Sequence, residues 1–341
     1  MKTKLWMAAA GLSLLVSFSG CAKKSGGGTP AALPERVNIG TQQMPNDENV
    51  AKAKGYFDSL GVPVNLLEFD SGSAAVNAVV SGSVDLALMG TTPATTAIAN
   101  NLPVEVIWIH GILGKSEALA VRNAANITSV AELSGKKAAT PFGSTGHYSL
   151  LSALALNGVP ASAVTLLDMQ PKDIYAAWSR GDIDAAYVWD PVLAKLLEDG
   201  KLLLSSEDLA LQGVITADIE IVNRDFGKKY PQAVSNYLSA LSKTQGEYRK
   251  DFNGTAAALA RYFSISVEES EQQLRGNIWL SAEEQLGNAY FGTSAVPGDF
   301  AKALKKTADF LVTQKTIAQA PDIGIFQKAV NPHYIELLLG K

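Results

Sequence analysis

Ser81-Gly82-Ser83-Val84-Asp85-Leu86-Ala87 and Arg180-Gly181-Asp182-Ile183-Asp184-Ala185-Ala186 are two renderings of one phrase. Each ends a helix on a glycine and enters an apolar strand with an acidic residue at its start. The echo points to two similar α/β units rather than a tandem array of short repeats. Upstream of the first phrase, the pattern predicts a strand at Arg36 to Gly40, a loop Thr41 to Pro45, a helix Val50 to Leu60 stopped by Gly61, and a strand Val64 to Phe69. Asp70 to Ser73 then reads as the cap of a helix running to Ser81. Downstream come Gly90-Thr91-Thr92-Pro93, which opens another helix, and a strand from Val104 to His110. The second phrase has the same surroundings. A strand at Ala138 to Thr140 leads through the loop Pro141 to Gly146 into a helix ending before Gly158, and a strand Val164 to Leu167 precedes the helix Ile174 to Arg180. From about Pro231 the chain reads as mostly helical, with amphipathic stretches at Asn236 to Tyr248 and Phe300 to Gln314. Such β-α alternation means open sheets flanked by helices, with ligands at the carboxyl ends of strands. The expected lobes are 36–121 with 220–341, and 122–219.

The N-terminus is expected to lie outside the fold. Lys2 and Lys4 precede an apolar run, Leu5 to Phe18, and then Ser19-Gly20-Cys21. Residues 1–20 read as a secretory signal peptide, too short in its apolar part to span a bilayer comfortably. The small residues before Cys21 resemble a bacterial lipobox, although Phe18 departs from the usual leucine. Cys21 is the chain's single cysteine, so a disulfide within one copy is impossible. The lipobox resemblance implies that Cys21 becomes a lipidated first residue, with residues 21–35, rich in Gly, Pro, Ala and Lys, as a flexible tether. The protein is thus expected outside the cytoplasm, on the periplasmic or cell-surface side of a membrane.

The 341 residues carry a formal net charge of −4, which loss of Lys2 and Lys4 would deepen. Lysine and arginine are scattered, with no basic patch interleaved with aromatics, so a nucleic-acid partner is not expected.

Four strand-end segments carry a resemblance: Phe69-Asp70-Ser71-Gly72, Gly114-Lys115-Ser116-Glu117-Ala118-Leu119, Ser144-Thr145-Gly146-His147-Tyr148-Ser149-Leu150-Leu151, and Ala176-Ala177-Trp178-Ser179-Arg180-Gly181-Asp182-Ile183-Asp184, with Tyr187-Val188-Trp189 extending the last. Taken in order, they resemble the taurine-binding members of the sulfonate/nitrate/taurine substrate-binding family of ABC importers. The resemblance runs from about residue 36 to the C-terminus and is strongest over 64–225. It implies an α/β fold of the two-domain periplasmic binding protein type II, with a ligand cleft between the domains. It also implies a monomer that delivers taurine or a related aliphatic sulfonate to an ABC permease and its ATPase, without a cofactor.

A taurine site needs uncharged donors for the sulfonate and carboxylates or aromatic faces for the ammonium. Thr91 and Thr92 at one helix start, and Thr145, His147 and Tyr148 at the other, offer free amides and hydroxyls for an anion. Simple helix capping explains either segment taken alone. Gln42 and Gln43 are further amide donors within reach of a sulfonate. Glu117, just ahead of an apolar strand, and Asp218, between apolar residues, are the candidate carboxylates for the ammonium; exposure or a local ion pair is the plainer account of each. Trp189, at a strand end, offers a cation–π face or a core packing role. Asp190 departs from the taurine-binding pattern, which has a small apolar residue there, and would add to a cationic head or repel an anionic one.

Other anions or zwitterions fit the same architecture: an alkanesulfonate, nitrate, or a thiamine pyrimidine precursor. An enzyme on this fold is the rival class. Against it stand the absence of a cysteine after Cys21, three histidines (His110, His147 and His333) without metal-ligand spacing, and no nucleophile elbow or phosphate loop. A sensory or structural surface lipoprotein is the third reading.

Overall fold

The computed structural model describes residues 33–341. Residues 1–32, including the signal peptide, Cys21 and most of the tether, lie outside the described residues. Eleven strands form two sheets. They are β1 (Val37–Thr41), β2 (Val64–Glu68), β3 (Leu86–Gly90), β4 (Val104–Leu113), β5 (Glu117–Arg122), β6 (Lys137–Thr140), β7 (Thr165–Asp168), β8 (Ala185–Trp189), β9 (Gly200–Ser205), β10 (Ala217–Asn223) and β11 (Asn277–Ile278). The first sheet runs β11-β4-β10-β3-β1-β2 and the second β7-β6-β8-β5-β9. Both are mixed. β1 pairs in parallel with β2 and β3, and β6 with β7 and β8, whereas β10 and β5 each lie antiparallel between two neighbours.

The central strands are near-continuous apolar runs because helices cover both of their faces. In β5, Leu119 and Val121 enter one apolar cluster while Ala118 and Ala120 enter another, and Ala185 and Tyr187 of β8 alternate with Ala186 and Val188 in the same way. This period of two places one cluster on each face of the second sheet. The first lobe has one large core, to which the C-terminal helices Pro231–Lys250 and Phe300–Thr313 contribute Leu238, Leu241, Leu304 and Leu311, and a smaller cluster around Val50, Leu259, Leu274 and Trp279.

The lobe boundaries differ from the sequence reading. Breaks at 121/122 and 219/220 would cut β5 and β10, yet each of these strands pairs within one sheet only. The chain crosses at residues 114–116 and returns just before Ala217. Glycine marks the first crossing: a Cβ on Gly114 would fall 2.5 Å from the Gly276 carbonyl oxygen, and one on Gly276 would fall 2.8 Å from Ser116. Ser116 also donates its amide to Gly276 and its hydroxyl to Asn277. The first crossing therefore lies against the third segment, which carries β11.

Asp70 is not the helix cap expected. Ser71 occupies the cap position of helix Gly72–Ser81. Asp70 instead pairs with Lys172 of the second lobe at 3.0 Å.

Candidate functional site

The two crossings place Glu117 at the first residue of β5 and Asp218 at the second of β10. β5 and β8 pair so that Glu117 lies opposite Trp189, and β10 and β3 pair so that Asp218 lies opposite Gly90. Gly90 is the N-cap of helix Thr91–Ala99, which has no side-chain cap, and Ser144 is the N-cap of helix Thr145–Leu156. A Cβ on Gly90 would come within 2.5 Å of Thr145 Cγ2. The starts of the two helices, one from each lobe, therefore meet, and they can do so because residue 90 has no side chain.

Between these elements lies a cavity of about 410 Å³ counted between its lining atoms, mouth included. Of this, only about 20 Å³ is open to the centre of a water-sized guest, so the elements around it leave little free space. Gln42, Glu117, Thr145, Trp189, Asp190 and Asp218 line it, together with Met44, Gly90, Ser116, Ser144 and Asn277. Six of the sequence-derived candidates are thus brought together.

The other five do not line the cavity. Thr91 and Thr92 turn inward: the Thr91 hydroxyl accepts from the Ala217 amide at 3.4 Å, and the Thr92 hydroxyl is buried with no hydrogen-bond partner among the described residues. The cavity meets their turn at Gly90 and Pro93 instead. His147 stacks on Phe142 at 4.4 Å and accepts the Gly143 amide at Nδ1, and burial lowers its pKa. Tyr148 lies on the same helix face as Thr145 but one turn further in, where Phe310 of the first lobe covers it edge-on. Gln43 is exposed and donates to Glu68 at 3.3 Å, in a second hollow beside the cavity. Gln42 reaches the cavity wall, although its amide nitrogen is taken by the Leu88 carbonyl at 3.0 Å.

The acids are the chemistry of this cavity. Glu117 is buried; one carboxylate oxygen accepts from Thr145 Oγ1 and the other from Ser206 Oγ at 3.0 Å. Burial raises its pKa to about 8, and the charge of Asp218 adds to the rise against the two hydroxyl hydrogen bonds. Asp218 is also buried and accepts no hydrogen bond among the described residues. Burial raises its pKa to about 7, with the charge of His110 opposing and that of Asp47 assisting. Asp190 has a structural partner: its Oδ1 accepts the Ala194 amide, in the first turn of the short helix Val192–Leu196, at 3.1 Å, and burial raises its pKa to about 7.

Behind Asp218 lies a polar cluster that the sequence reading does not identify. His110 bridges Asp47 through Nδ1 and Glu220 through Nε2, the latter at 2.9 Å. Asp47 also accepts from Trp108 Nε1 and Gln245 Nε2, each at 2.8 Å. The Tyr237 hydroxyl lies 2.5 Å from Glu48 Oε2 and 3.2 Å from Glu220 Oε2. An acidic pair at a helix start reads as ordinary dipole compensation, and nothing local distinguishes Asp47-Glu48 from that. The only available signals were polar residues inside apolar runs: His110 in Trp108-Ile109-His110 and Glu220 in Ile219-Glu220-Ile221.

Among the described residues no group of histidine, cysteine and acids is arranged to hold a metal ion, and no helix is long and apolar enough to cross a membrane.

Residues 48–251 match the family described as NMT1/THI5 like. The chain is 34% identical over 285 residues to the taurine-binding periplasmic protein of Escherichia coli (strain K12), covering 82% of this chain and 86% of that one. It is 26% identical over 339 residues to a putative aliphatic sulfonates-binding protein of Bacillus subtilis (strain 168), covering 95% and 97%. In structure it is similar to the alkanesulfonate-binding protein SsuA from Xanthomonas axonopodis pv. citri bound to MOPS, with a TM-score of 0.72 and 25% identity over 88% of this chain and 99% of that one.

Proposed function

We propose, from the premise that this chain belongs to the NMT1/THI5-like family as an extracytoplasmic substrate-binding protein of the sulfonate- and taurine-binding type, that its ligand is taurine. At the coarser level its role is that of the substrate-binding component of an ABC importer for a small anionic ligand of the sulfonate class, and that role is binding rather than catalysis.

The observation that carries the finer reading is the convergence of Glu117 and Asp218 on one buried cavity. A sulfonate alone would be repelled by two acids, or would require both to stay protonated. A ligand with an ammonium at one end and a sulfonate at the other supplies the missing counter-charge to the acids. Its anionic end then faces the starts of helices Thr91–Ala99 and Thr145–Leu156, where amides and the helix dipoles favour a negative group without any Arg or Lys. Trp189, opposite Glu117 in the sheet, adds an aromatic wall beside the ammonium. In this reading the protein works as a single copy, held to the membrane by lipid on Cys21, and hands its ligand to the permease after the two lobes open.

Titration calorimetry against taurine, ethanesulfonate and β-alanine tests the assignment. Taurine is expected to bind far more tightly than either analogue, ethanesulfonate failing for want of the ammonium and β-alanine for want of the sulfonate. Equal weak binding of all three defeats it. The anchor is tested separately: Cys21→Ala should leave the protein in the soluble extracytoplasmic fraction, and retention in the membrane fraction would contradict lipidation.

A further inference from the structure

We propose that His110 is a positioning residue for the ammonium subsite: it ties the cavity wall at Gln42 to Pro45 to the strand carrying Asp218, and it supplies a buried positive charge that favours the ionised form of Asp218. The inference rests on the taurine reading and deepens it.

The wall comes first. Gln42, Met44 and Pro45 line the cavity, and helix Asp47–Ala53 follows directly. Asn49 holds that loop by donating to the Gln42 carbonyl at 2.9 Å and the Met44 carbonyl at 3.1 Å. Asp47 fixes the helix start to the first sheet through His110 and Trp108 of β4 and Gln245 of helix Pro231–Lys250. His110 then continues across to Glu220, two residues beyond Asp218 on β10. One imidazole therefore joins the wall to the strand that presents the carboxylate.

The charge follows from the same geometry. Both ring nitrogens lie at hydrogen-bond distance from carboxyl oxygens, an arrangement that suits an imidazolium donating at Nδ1 to Asp47 and at Nε2 to Glu220. Burial pushes His110 toward the neutral form, but the charge and hydrogen bond of Asp47, supported by those of Glu220, outweigh it and hold its pKa well above the ordinary value. The groups facing this region are Asp47 and Glu48 on helix Asp47–Ala53, Glu220 on β10, Tyr237 on the long helix, and Glu117 across the cavity. All the others are acids or a hydroxyl. Burial and the repulsion of Glu48 raise Glu220 to about 8, and burial also raises Glu48, so much of the acidic surplus is neutralised by protons. His110 is thus the cation of the cluster, and its charge opposes the rise in Asp218. Without it, Asp218 would meet an incoming ammonium as a neutral acid.

The test is carboxyl-carbon NMR of the ligand-free protein, with Asp218 assigned by loss of its signal in Asp218→Asn. His110→Gln is expected to raise the Asp218 midpoint by about one pH unit, a tenfold change in proton affinity. In the unaltered protein the His110 ring nitrogens should remain protonated beyond pH 8. His110→Gln should weaken taurine binding about fivefold at pH 7, because a midpoint moved from about 7 to about 8 cuts the ionised fraction from about one half to about one tenth, with the loss recovered at higher pH and ethanesulfonate binding unmoved. A merely structural histidine would affect both ligands alike at every pH. An unmoved Asp218 midpoint, or a His110 that titrates near the usual histidine value in the unaltered protein, overturns this role alone and needs no variant that might fail to fold for its second arm. An unaltered protein that ignores taurine overturns the parent reading, and this role with it, whatever the carboxyl titration shows.

Discussion

Glu117 and Asp218 belong to different sheets, yet they face one cavity closely enough that charge on Asp218 raises the proton affinity of Glu117. Glu117 begins β5 and Asp218 is the second residue of β10, each just after a crossing segment. The pair is therefore assembled by the two connections on which the lobes would turn, and its geometry depends on their relative position. A cation placed between them would relieve a repulsion that the empty cavity can relieve only by taking up protons.

That relationship sets the pH dependence of binding. With Glu117 at about 8 and Asp218 at about 7, the ligand-free site holds protons at neutral pH. An ammonium guest favours the ionised acids, so binding should release roughly one proton per ligand at pH 7. Affinity for taurine should rise on the order of tenfold or more from pH 6 to pH 8, as the acids lose their protons beforehand. Calorimetry in buffers of different ionisation enthalpy measures the release directly. Proton uptake, or no exchange, would contradict the cationic contact.

Glu117→Gln should separate function from stability. Loss of the charge-assisted contact is expected to weaken taurine binding by about 1.5–3 kcal/mol, at least tenfold. The ligand-free protein should respond the other way. A carboxyl whose folded pKa is raised contributes fully below its unfolded value, near pH 4, and the contribution is lost as pH rises through about 8. Glutamine has no such loss, and its amide can serve the Thr145 and Ser206 hydroxyls. The variant should therefore melt at or below the parent temperature at pH 5 and above it at pH 8, gaining up to a few kcal/mol there. Melting curves across pH decide it.

Strands and their glycine stops were legible because each obeys a local rule. An apolar run of four to six residues closed by a glycine reads the same way wherever it folds. Gly200–Ser205 carries a weaker strand signal because it is an edge strand with Leu202 exposed. Glu117 and Asp218 could be picked out as acids embedded in apolar sequence. The Asp47–His110–Glu220 cluster could not, because its members come from three elements distant in the chain and each has an ordinary local explanation. The threonines show the same limit: the helix start at Thr91 follows a local rule, but which way its side chains turn depends on β10 lying against it.

The Asp70–Lys172 pair joins the lobes at the rim, and both side chains are largely exposed, 56% and 72%. Such pairs contribute little and are screened by salt. Lys172→Ala should speed taurine release by no more than about a few-fold at low ionic strength, and by nothing measurable at high salt. Stopped-flow dissociation at two salt concentrations provides the check. A large, salt-insensitive effect would mean that the rim, rather than the buried acids, governs release.

Gly90 allows the most specific prediction. Its φ is −72°, an ordinary value for any residue, so alanine costs nothing in the backbone itself. The obstacle is Thr145 Cγ2, 2.5 Å from where the new Cβ would sit. Real carbon atoms do not approach so closely, so Gly90→Ala should push apart the two helix starts that the proposed sulfonate end would face. We expect taurine affinity to fall at least tenfold, a little over 1 kcal/mol, with a smaller change in melting temperature. Thr145→Ser removes the methyl while keeping the hydroxyl bonded to Glu117, and alone it should be nearly silent. Combined with Gly90→Ala it should restore most of the lost affinity, a coupling between two positions that a double-mutant cycle measures. Simple additivity of the two substitutions would show that contact between the helix starts is not what positions the ligand.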